Sequence, residues 1–262
     1  MDFKTLDFAV HNGVAHITLN RPESANSMDV QMSLDLMHAS IECDENPDIR
    51  AVLITGNGKM FSAGGDLKSF AAAGDRIRHL VKEMTVYLHG AISRFARMNA
   101  PVVIAVNGTA AGAGFSLAIS GDLVLAARSA KFTMAYTAAA LSPDGSSSYF
   151  LPRLVGLRRA QELMITNRVL TADTALDWGL VSQVHDADKL HAEAVQLAET
   201  LAAGPTLAYG AVKSMLTESF TTDLEAQMER ESRWIADMMG TRDAQHGMDS
   251  FLNKRKPSYQ GR

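Results

Sequence analysis

The first 150 residues alternate short apolar runs with turn signals, and this pattern predicts strands and helices in turn. Residues 3–10 and 14–19 are strand-like runs on either side of a His-Asn-Gly turn, which predicts a β-hairpin. Apolar side chains at helical spacing over residues 27–41 predict a helix with one apolar face. A short apolar run at 52–54 predicts a buried strand, and residues 75–99 predict a long amphipathic helix. This alternation indicates an α/β fold.

The stretch 100–122 is the most informative part of the pattern. It contains an apolar strand at 102–106, an Asn-Gly turn, and then small residues that lead into apolar positions at helical spacing. Gly112, Ala113 and Gly114 have almost no side chain, so another group can approach the backbone where this helix begins. Free N–H groups at a helix N-terminus favour negative charge. We therefore expect this strand-to-helix junction to hold an oxyanion.

Three other interpretations of this stretch fail on particular residues. Residues 98–121 carry no charge and are long enough to span a membrane, but Pro101, the asparagines and the glycines argue against a span. The Gly-Ala-Gly sequence lacks the third glycine of a dinucleotide-binding motif, because Leu117 stands there. The sequence around Ser116 approximates a nucleophile elbow without its last glycine, so we expect Ser116 to pack inside the helix.

Two further segments carry candidate chemistry that ordinary turns would also explain. The loop 59–68 contains adjacent glycines, Gly64 and Gly65, which permit backbone geometries that aim N–H groups at a ligand. A plain flexible turn is the alternative. Asp144 lies in a Pro-Asp-Gly turn, and the serines that follow can begin a helix. It is either a turn former or a carboxylate with a chemical role, and the residues by themselves leave both open.

From residue 157 onward the pattern is helical. The predicted helices are 157–166, 171–178, 186–203, 205–219, 224–239 and 242–253. Only residues 180–184 are strand-like, so we predict an α/β part to about Tyr149 and a helical C-terminal extension. An apolar helical tail packs either on another subunit or on its own core. The basic cluster at 253–256 has the character of a solvated tail.

Composition narrows the class of protein. The chain of 262 residues is 47% hydrophobic with a net charge of -4, so it can bury its own core and has no evident nucleic-acid face. The one cysteine, Cys43, excludes an internal disulfide and fits a reducing compartment. The eight histidines have no metal-binding spacing. The N-terminal residues form no apolar signal core, so we expect a cytoplasmic protein without a membrane partner.

In this order the segments resemble the crotonase superfamily, that is, the enoyl-CoA hydratase/isomerase family. The resemblance is carried by motifs at 19–22, 61–67, 101–122, 130–132, 151–153, 178–181 and 251–256. It implies an α/β, crotonase-like (ClpP/crotonase) spiral of strand-strand-helix repeats, with a core at 1–200 and a helical trimerisation region at 201–262. It also implies a homotrimer or a dimer of trimers.

The resemblance further implies an acyl-CoA thioester substrate, with coenzyme A as part of the substrate and with no other cofactor and no metal. The thioester carbonyl would lie between two backbone N–H groups, which fall at Gly65 and Ala113. When a base removes the proton next to a thioester, charge develops on the carbonyl oxygen, and preorganised N–H donors stabilise the enolate. Further substrate contacts implied in this way are Ala25, Ser62, Ala63, Asp66, Leu67, Lys68, Tyr136, Phe251 and Lys254.

The acid/base residues decide which reaction the resemblance implies. The hydratases of the family use two glutamates, and those positions hold Ser116 and Tyr136 here, so we do not expect efficient hydration. Asp144 matches the acidic residue of the isomerase branch. The nearest resemblance is to the 3-enoyl to 2-enoyl-CoA isomerases and the ring-isomerising epoxyphenylacetyl-CoA isomerases. One carboxylate is sufficient to take a proton from C2 and return it at C4.

Other functions stay open at this point. An enoyl-CoA hydratase would use Asp144 with a bound water, and a protein without catalysis would only bind acyl-CoA. An aromatic acyl-CoA dehalogenase would use Asp144 as a nucleophile, but it needs a separate base and a tryptophan where Tyr136 stands. Tyr136 either shapes the acyl pocket or donates a hydrogen bond to the substrate. We expect Phe115, Leu141 and Phe150 to line an apolar pocket around Asp144. Phe251 and Lys254 either reach CoA, often from a neighbouring subunit in the family, or simply belong to the last helix.

Overall fold

The secondary structure comes from a computed structural model that describes residues 2–262. The strands are β1 (Leu6–His11), β2 (Val14–Leu19), β3 (Ala51–Gly56), β4 (Met60–Ser62), β5 (Val102–Val106), β6 (Thr109–Ala111), β7 (Leu123–Ala127), β8 (Lys131–Thr133), β9 (Leu170–Thr171) and β10 (Gln183–His185). The helices are α1 (Val30–Glu45), α2 (Leu67–Ala72), α3 (Ile77–Arg97), α4 (Ala113–Ile119), α5 (Ser147–Val155), α6 (Leu157–Thr166), α7 (Ala172–Asp177), α8 (Leu190–Ala202), α9 (Thr206–Ser219), α10 (Leu224–Met239) and α11 (Arg242–Leu252).

Across residues 2–262 the strands form a large and a small sheet. The large sheet has the order β1-β2-β3-β5-β7-β10, and the small sheet has the order β4-β6-β8-β9. In the large sheet β1 and β2 form an antiparallel hairpin, and every later pair is parallel. The hairpin turn holds Asn12 and Gly13 at φ values of 52° and 76°. Asn-Gly tolerates these left-handed angles, which is why the sequence predicts a turn there.

The chain passes from the large sheet to the small sheet and then into a helix in each repeat. β3, β5 and β7 lie in the large sheet, and each is followed by a short strand of the small sheet, β4, β6 or β8. This order confirms the predicted spiral of strand-strand-helix repeats. Because β4 and β6 are paired in parallel, the loops that leave their carboxyl ends lie side by side.

The core is centred on β5 and α4. Every residue of β5 and of α4 is buried, as expected for a continuous apolar strand covered on both faces. Phe115 of α4 packs on Phe132 of β8, with ring centroids 5.8 Å apart. α1, which Asp29 caps, packs against α3. The helix that begins at Ala113 is therefore held rigidly from all sides.

The sequence pattern is right for most of the longer elements and for the short strand β8, predicted at 130–134, but it misses the short helix α2 and most of the shortest strands. β2, β5, α6 and α10 have the predicted bounds. The pattern predicts no strand at β4, β6 or β9, and it misplaces β10 at 180–184. A segment of two or three residues cannot show a period-2 alternation, and it becomes a strand only because a neighbouring strand supplies hydrogen-bond partners. Since β10 joins the large sheet, the α/β part extends beyond Tyr149.

The C-terminal helices attach to the core through α8 and α9. α8 packs against β3 and β5. Lys213 of α9 is buried and donates to the carbonyl oxygens of Phe95 and Ala100, each at 2.9 Å. It also pairs with Asp122 at 2.7 Å. Burial lowers the pKa of Lys213, although the Asp122 carboxylate opposes that shift. These contacts tie α9 to the end of α3 and to the segment that enters β5.

α10 presents an apolar face to solvent in the single chain. None of the residues of this fully described helix is buried. Leu224, Met228, Ile235 and Met239 are each at least 50% exposed and lie at helical spacing. A contiguous exposed apolar face is typical of an interface with another protein surface.

Candidate active site

The loop after β4 lies against the start of α4. Gly64 has a φ of +91°, which L side chains rarely adopt. A Cβ added to Gly64 would lie 2.8 Å from the Ala111 carbonyl oxygen and 3.1 Å from the Ala113 nitrogen. The pairing of β4 with β6 therefore brings the backbone of this loop into contact with the first residue of α4, and only glycine fits at the contact.

The backbone N–H groups of Gly65 and Ala113 are available to a ligand. Met28 N–H donates to the Gly64 carbonyl at 2.7 Å and Asp66 N–H donates to the Met28 carbonyl at 2.9 Å, so this bridge does not use the Gly65 N–H. Ala113 is the first residue of α4, where an N–H group has no partner inside the helix. Within residues 2–262 neither N–H group has a hydrogen-bond acceptor. Two free donors in touching loops can stabilise negative charge on an oxygen.

Arg21 and Asp66 hold the loop in place. Asp66 accepts hydrogen bonds from the Lys68 and Ser69 N–H groups at the start of α2. The Arg21 guanidinium donates to Asp66 at 3.1 Å and to the Ser27 carbonyl at 2.7 Å. Burial alone would raise the pKa of Asp66, but the hydrogen bonds from Ser69 and Arg21 outweigh it and lower that pKa. The Asp66 carboxylate is thus occupied in supporting the loop.

Ser62, Ala63 and Ala25 also contribute to the shape of the loop. The buried Ser62 hydroxyl donates to the Asn26 carbonyl at 2.8 Å and accepts from the Gly64 N–H at 3.2 Å. Ala63 N–H donates to the Ala25 carbonyl at 2.9 Å. The side chain of Ser62, expected as a substrate contact, is therefore used within the protein, and this segment can meet a ligand only through exposed backbone.

Asp144 lies over α4, as a carboxylate with two unlike oxygens. Its Oδ1 accepts a hydrogen bond from the Tyr136 hydroxyl at 2.6 Å. Its Oδ2 lies 3.6 Å from Nε2 of His89, which comes from α3. The turn itself packs on α4, because a Cβ added to Gly145 would lie 2.9 Å from the Ser116 Cβ. The Asp144 side chain is 27% exposed. The short helix α4 thus begins with the free N–H of Ala113 and also supports the turn that carries the Asp144 carboxylate.

The hydroxyl group of Tyr136 contacts Asp144 and Ser116 within the protein. The sequence places it as a substrate contact, whereas its hydroxyl donates to Asp144 and lies 3.0 Å from the Ser116 Oγ. Burial, and then the nearby Asp144 charge, raise the pKa of Tyr136, so it stays a protonated donor. Ser116 lies inside α4 as predicted, and its hydroxyl takes part in this contact.

Sequence reasoning missed His89, which lies beside Asp144, and a cavity next to it whose wall includes none of Gly65, Ala113 and Asp144. A cavity of about 460 Å³ opens beside His89 between α3, α5 and α9, with Ile92, Tyr149 and Phe150 in its wall. Of the three expected lining residues, only Phe150 lines this cavity. Phe115 is instead packed on Phe132 in the core, and Leu141 is largely exposed. A single histidine in a long amphipathic helix carries no signal of its own, so its place beside Asp144 becomes visible only in the fold.

The remaining expected contacts are surface side chains. Leu67 and Lys68 lie exposed at the start of α2, directly after the Gly65 loop. Phe251 is 83% exposed at the end of α11, and Lys254 is exposed just beyond it. Within one chain neither Phe251 nor Lys254 is packed into the region of Gly65 and Asp144.

Among residues 2–262 no three His, Cys, Asp or Glu side chains are grouped so that they could share a metal ion. In the same part of the chain no helix combines the length and apolar character needed to cross a membrane.

Comparison with known proteins identifies the family. The family model described as Enoyl-CoA hydratase/isomerase matches residues 9–262. The 1,2-epoxyphenylacetyl-CoA isomerase of Escherichia coli (strain K12) is 37% identical over 255 residues, which are 97% of this chain and 97% of that protein. The 4-chlorobenzoyl coenzyme A dehalogenase-2 of Arthrobacter sp is 34% identical over 230 residues, which are 87% of this chain and 83% of that protein.

The fold comparison agrees with the sequence comparison. The crystal structure of an enoyl-CoA hydratase from Polaromonas sp. JS666 has a TM-score of 0.92 and 32% identity, and the match covers 97% of this chain and 99% of that one. These relatives are named as an isomerase, a dehalogenase and a hydratase, and each name contains a CoA thioester. The chain therefore belongs to the enoyl-CoA hydratase/isomerase family, has the crotonase fold and is an enzyme of the superfamily that acts on acyl-CoA thioesters.

Proposed function

We propose that the protein shifts a double bond in an unsaturated acyl-CoA, converting a 3-enoyl into a 2-enoyl thioester. The observation that carries this proposal is the single carboxylate of Asp144 above α4, with Ser116 and Tyr136 where a second acid or base would stand. Hydration needs a group that activates water in addition to one that protonates carbon, whereas a double-bond shift needs one group that moves one proton.

In the proposed reaction the N–H groups of Gly65 and Ala113 hold the thioester oxygen. Asp144 removes a proton from C2, and the negative charge that develops on the thioester oxygen is stabilised by these two donors. Asp144 then returns the proton at C4, which leaves the double bond between C2 and C3. The reaction proposed in this way uses no cofactor beyond the coenzyme A of the substrate.

The segment from Ala63 to Lys68, of which Leu67 and Lys68 are exposed, is the proposed track of coenzyme A, together with the backbone at Ala25. Phe251 and Lys254 would complete this track from a neighbouring subunit, where the lysine would meet phosphate charge. The apolar face of α10 supports a homotrimer or a dimer of trimers, because it needs a partner surface to be buried. The single buried cysteine, Cys43, supports a cytoplasmic location.

The test is a spectrophotometric assay with 3-hexenoyl-CoA and with crotonyl-CoA. We expect conjugation of the first substrate and little hydration of the second. Asp144→Asn should lower kcat for conjugation by at least about a hundredfold, because general acid–base groups contribute about 10²–10⁴. Replacement of the exposed Asp188 by Asn is the matched control and should leave kcat unchanged. Hydration of crotonyl-CoA at the rate of conjugation would support a hydratase instead. Full activity in Asp144→Asn would refute Asp144 as the base, and binding of the CoA ester without conjugation in the wild type would support an acyl-CoA binder.

One observation favours a second candidate, displacement of halide from an aromatic acyl-CoA. His89 Nε2 lies 3.6 Å from Asp144 Oδ2, so a second titratable group is present beside the carboxylate. Tyr136, however, stands where that chemistry would use tryptophan. This candidate is rejected if the protein conjugates 3-hexenoyl-CoA but releases no chloride from 4-chlorobenzoyl-CoA.

A further inference from the structure

Two side chains behind the proposed proton carrier, Asp144, form a continuous row of hydrogen bonds with it. Ser116 Oγ lies 3.0 Å from the Tyr136 hydroxyl oxygen, and that hydroxyl lies 2.6 Å from Asp144 Oδ1. Ser116 is fully buried, and Tyr136 is packed against the core. The row therefore runs from the interior of α4 outward to the carboxylate.

The direction of these two hydrogen bonds follows from the number of protons available. A carboxylate accepts only, so the single hydroxyl proton of Tyr136 is used in the bond to Oδ1. The Tyr136 oxygen can then meet Ser116 only as an acceptor, which makes the Ser116 hydroxyl the donor. The other acceptor near Ser116, the Gly112 carbonyl, lies farther away at 3.3 Å. Bonds aligned in this sense strengthen one another.

Oδ2 of Asp144 is left without a donor. His89 Nε2 accepts the Gly145 N–H at 3.2 Å, so in the neutral ring the proton is on Nδ1 and Nε2 has none to give to Oδ2. Within residues 2–262 no other side chain or N–H group donates to Oδ2. The two carboxylate oxygens are therefore unequal, one held by a phenol and one open.

We propose that Ser116 and Tyr136 are positioning residues that hold Asp144 by Oδ1 and leave Oδ2 as the atom that carries the proton. This inference rests on the proposed isomerase function. The two hydrogen bonds that join Ser116, Tyr136 and Asp144 are called the relay. Ser116 lies one helical turn after Ala113, so the relay also fixes the carboxylate relative to one of the two N–H donors. The donor for the thioester oxygen and the proton carrier thus belong to one rigid unit.

The proton balance assigns each step to Oδ2. The C2–H bond breaks, its proton goes to Oδ2, and its electron pair forms the enolate, which is conjugated with the C3–C4 double bond. The Oδ2–H bond then breaks, C4 gains the proton, and the double bond lies between C2 and C3. Because Oδ1 is held throughout, the carboxyl group does not rotate and its Oδ2–H keeps facing the bound substrate, which covers it. The proton taken from C2 therefore reaches C4 before it exchanges with water.

The test compares Tyr136→Phe with the wild type in D₂O, using 3-hexenoyl-CoA and measuring deuterium at C4 of the product by mass spectrometry. Tyr136→Phe keeps the ring and removes only the donor. We expect kcat to fall on the order of ten- to a hundredfold, as for loss of a hydrogen bond to a charged group, with KM changed by about twofold or less. We also expect deuterium at C4 to rise from well below one atom per turnover to nearly one, because the freed carboxyl group rotates and exchanges its proton.

A second test variant and a matched control complete the experiment. Ser116→Ala should change kcat and deuterium content in the same direction by a smaller, several-fold amount. Tyr87→Phe removes a hydroxyl that makes no hydrogen bond within residues 2–262, and it should match the wild type in both.

The two proposals fail in different ways. If the wild type does not conjugate 3-hexenoyl-CoA, the proposed function fails. If the wild type does so and Asp144→Asn does not, but Tyr136→Phe incorporates the same deuterium as the wild type, the relay is refuted while the function stands. Complete deuterium incorporation in the wild type would refute the relay as well, since it would show a carboxyl group that already equilibrates with water.

Discussion

Replacing Gly64 by alanine tests whether the contact between the β4 loop and α4 supports activity. Two costs can be read from the structure. An alanine at a φ of +91° is in the left-handed region, which costs about 1–2 kcal/mol. Its Cβ would also lie 2.8 Å from the Ala111 carbonyl oxygen, whereas ordinary van der Waals contact begins at 3.4 Å. The loop and α4 must then separate by about 0.6 Å, the difference between these two distances, and overpacking typically costs about 1–3 kcal/mol more.

The effect on activity follows from the same displacement. The Gly65 N–H is the next amide along the chain, so it moves with the loop and away from the Ala113 N–H, the other proposed donor to the thioester oxygen. A 1 Å misplacement in an active site costs on the order of a hundredfold. We therefore expect kcat/KM for 3-hexenoyl-CoA to fall between about tenfold and a hundredfold, and the free energy of unfolding to fall by about 2–5 kcal/mol.

Gly74 supplies the matched control. It also has a positive φ, +52°, but a Cβ added there meets nothing within 4 Å. Gly74→Ala should therefore lose only the backbone cost of about 1–2 kcal/mol in urea unfolding and should keep its kcat/KM. Equal kcat/KM and equal unfolding free energies in the two variants would refute the argument, because they would show that the loop does not press on α4.

Two further predictions concern the supports of the fold and of the loop. Lys213→Met should lower the free energy of unfolding by about 1–3 kcal/mol in urea titrations, because it leaves the 28% exposed Asp122 side chain without its cation and two carbonyl groups without their donor, whereas replacing Lys189 of an exposed ion pair by Met should cost less than about 1 kcal/mol. A loss below about 1 kcal/mol for Lys213→Met would show that solvent replaces these contacts. Because the folded state lowers the pKa of Asp66, its stabilising effect is complete above the ordinary carboxyl pKa of about 3.9 and is lost as pH falls through the lowered value. The difference in unfolding free energy between wild type and Asp66→Asn should therefore shrink as pH falls below the ordinary carboxyl pKa, and a constant difference would contradict the Asp66 assignment.

The secondary structure was predictable wherever an element has a continuous apolar run or a persistent apolar spacing. β5 and α4 are recognisable because they are continuous runs of apolar and small residues, and α10 because its apolar spacing persists over four turns, although none of its residues is buried in the single chain. β4, β6 and β9 were not, because a strand of two or three residues owes its conformation to its neighbours in the sheet. The same limit applies to β10, which pairs with β7 from far along the chain.

The candidate site divides in a similar way. Gly64 and Gly65 stand out in the sequence because adjacent glycines permit backbone geometries that other residues do not, and all three positions, with Asp144, match motifs of the family. The bond from Tyr136 to Asp144 and the approach of His89 do not stand out. Those side chains come from separate elements, and the hydrogen bonds between them depend on how the elements pack.

The sequence by itself thus determined the family, the order of the main elements and the flexible backbone of the two loops, because residue size and apolar spacing act locally. Only the tertiary structure decided which groups meet. Parallel pairing of β4 with β6 sets the Gly65 loop against Ala113, and the packing of the Asp144 turn on α4 gives Tyr136 its acceptor. Distances of a few ångströms between residues far apart in the chain are set by the whole core, and no local pattern encodes them.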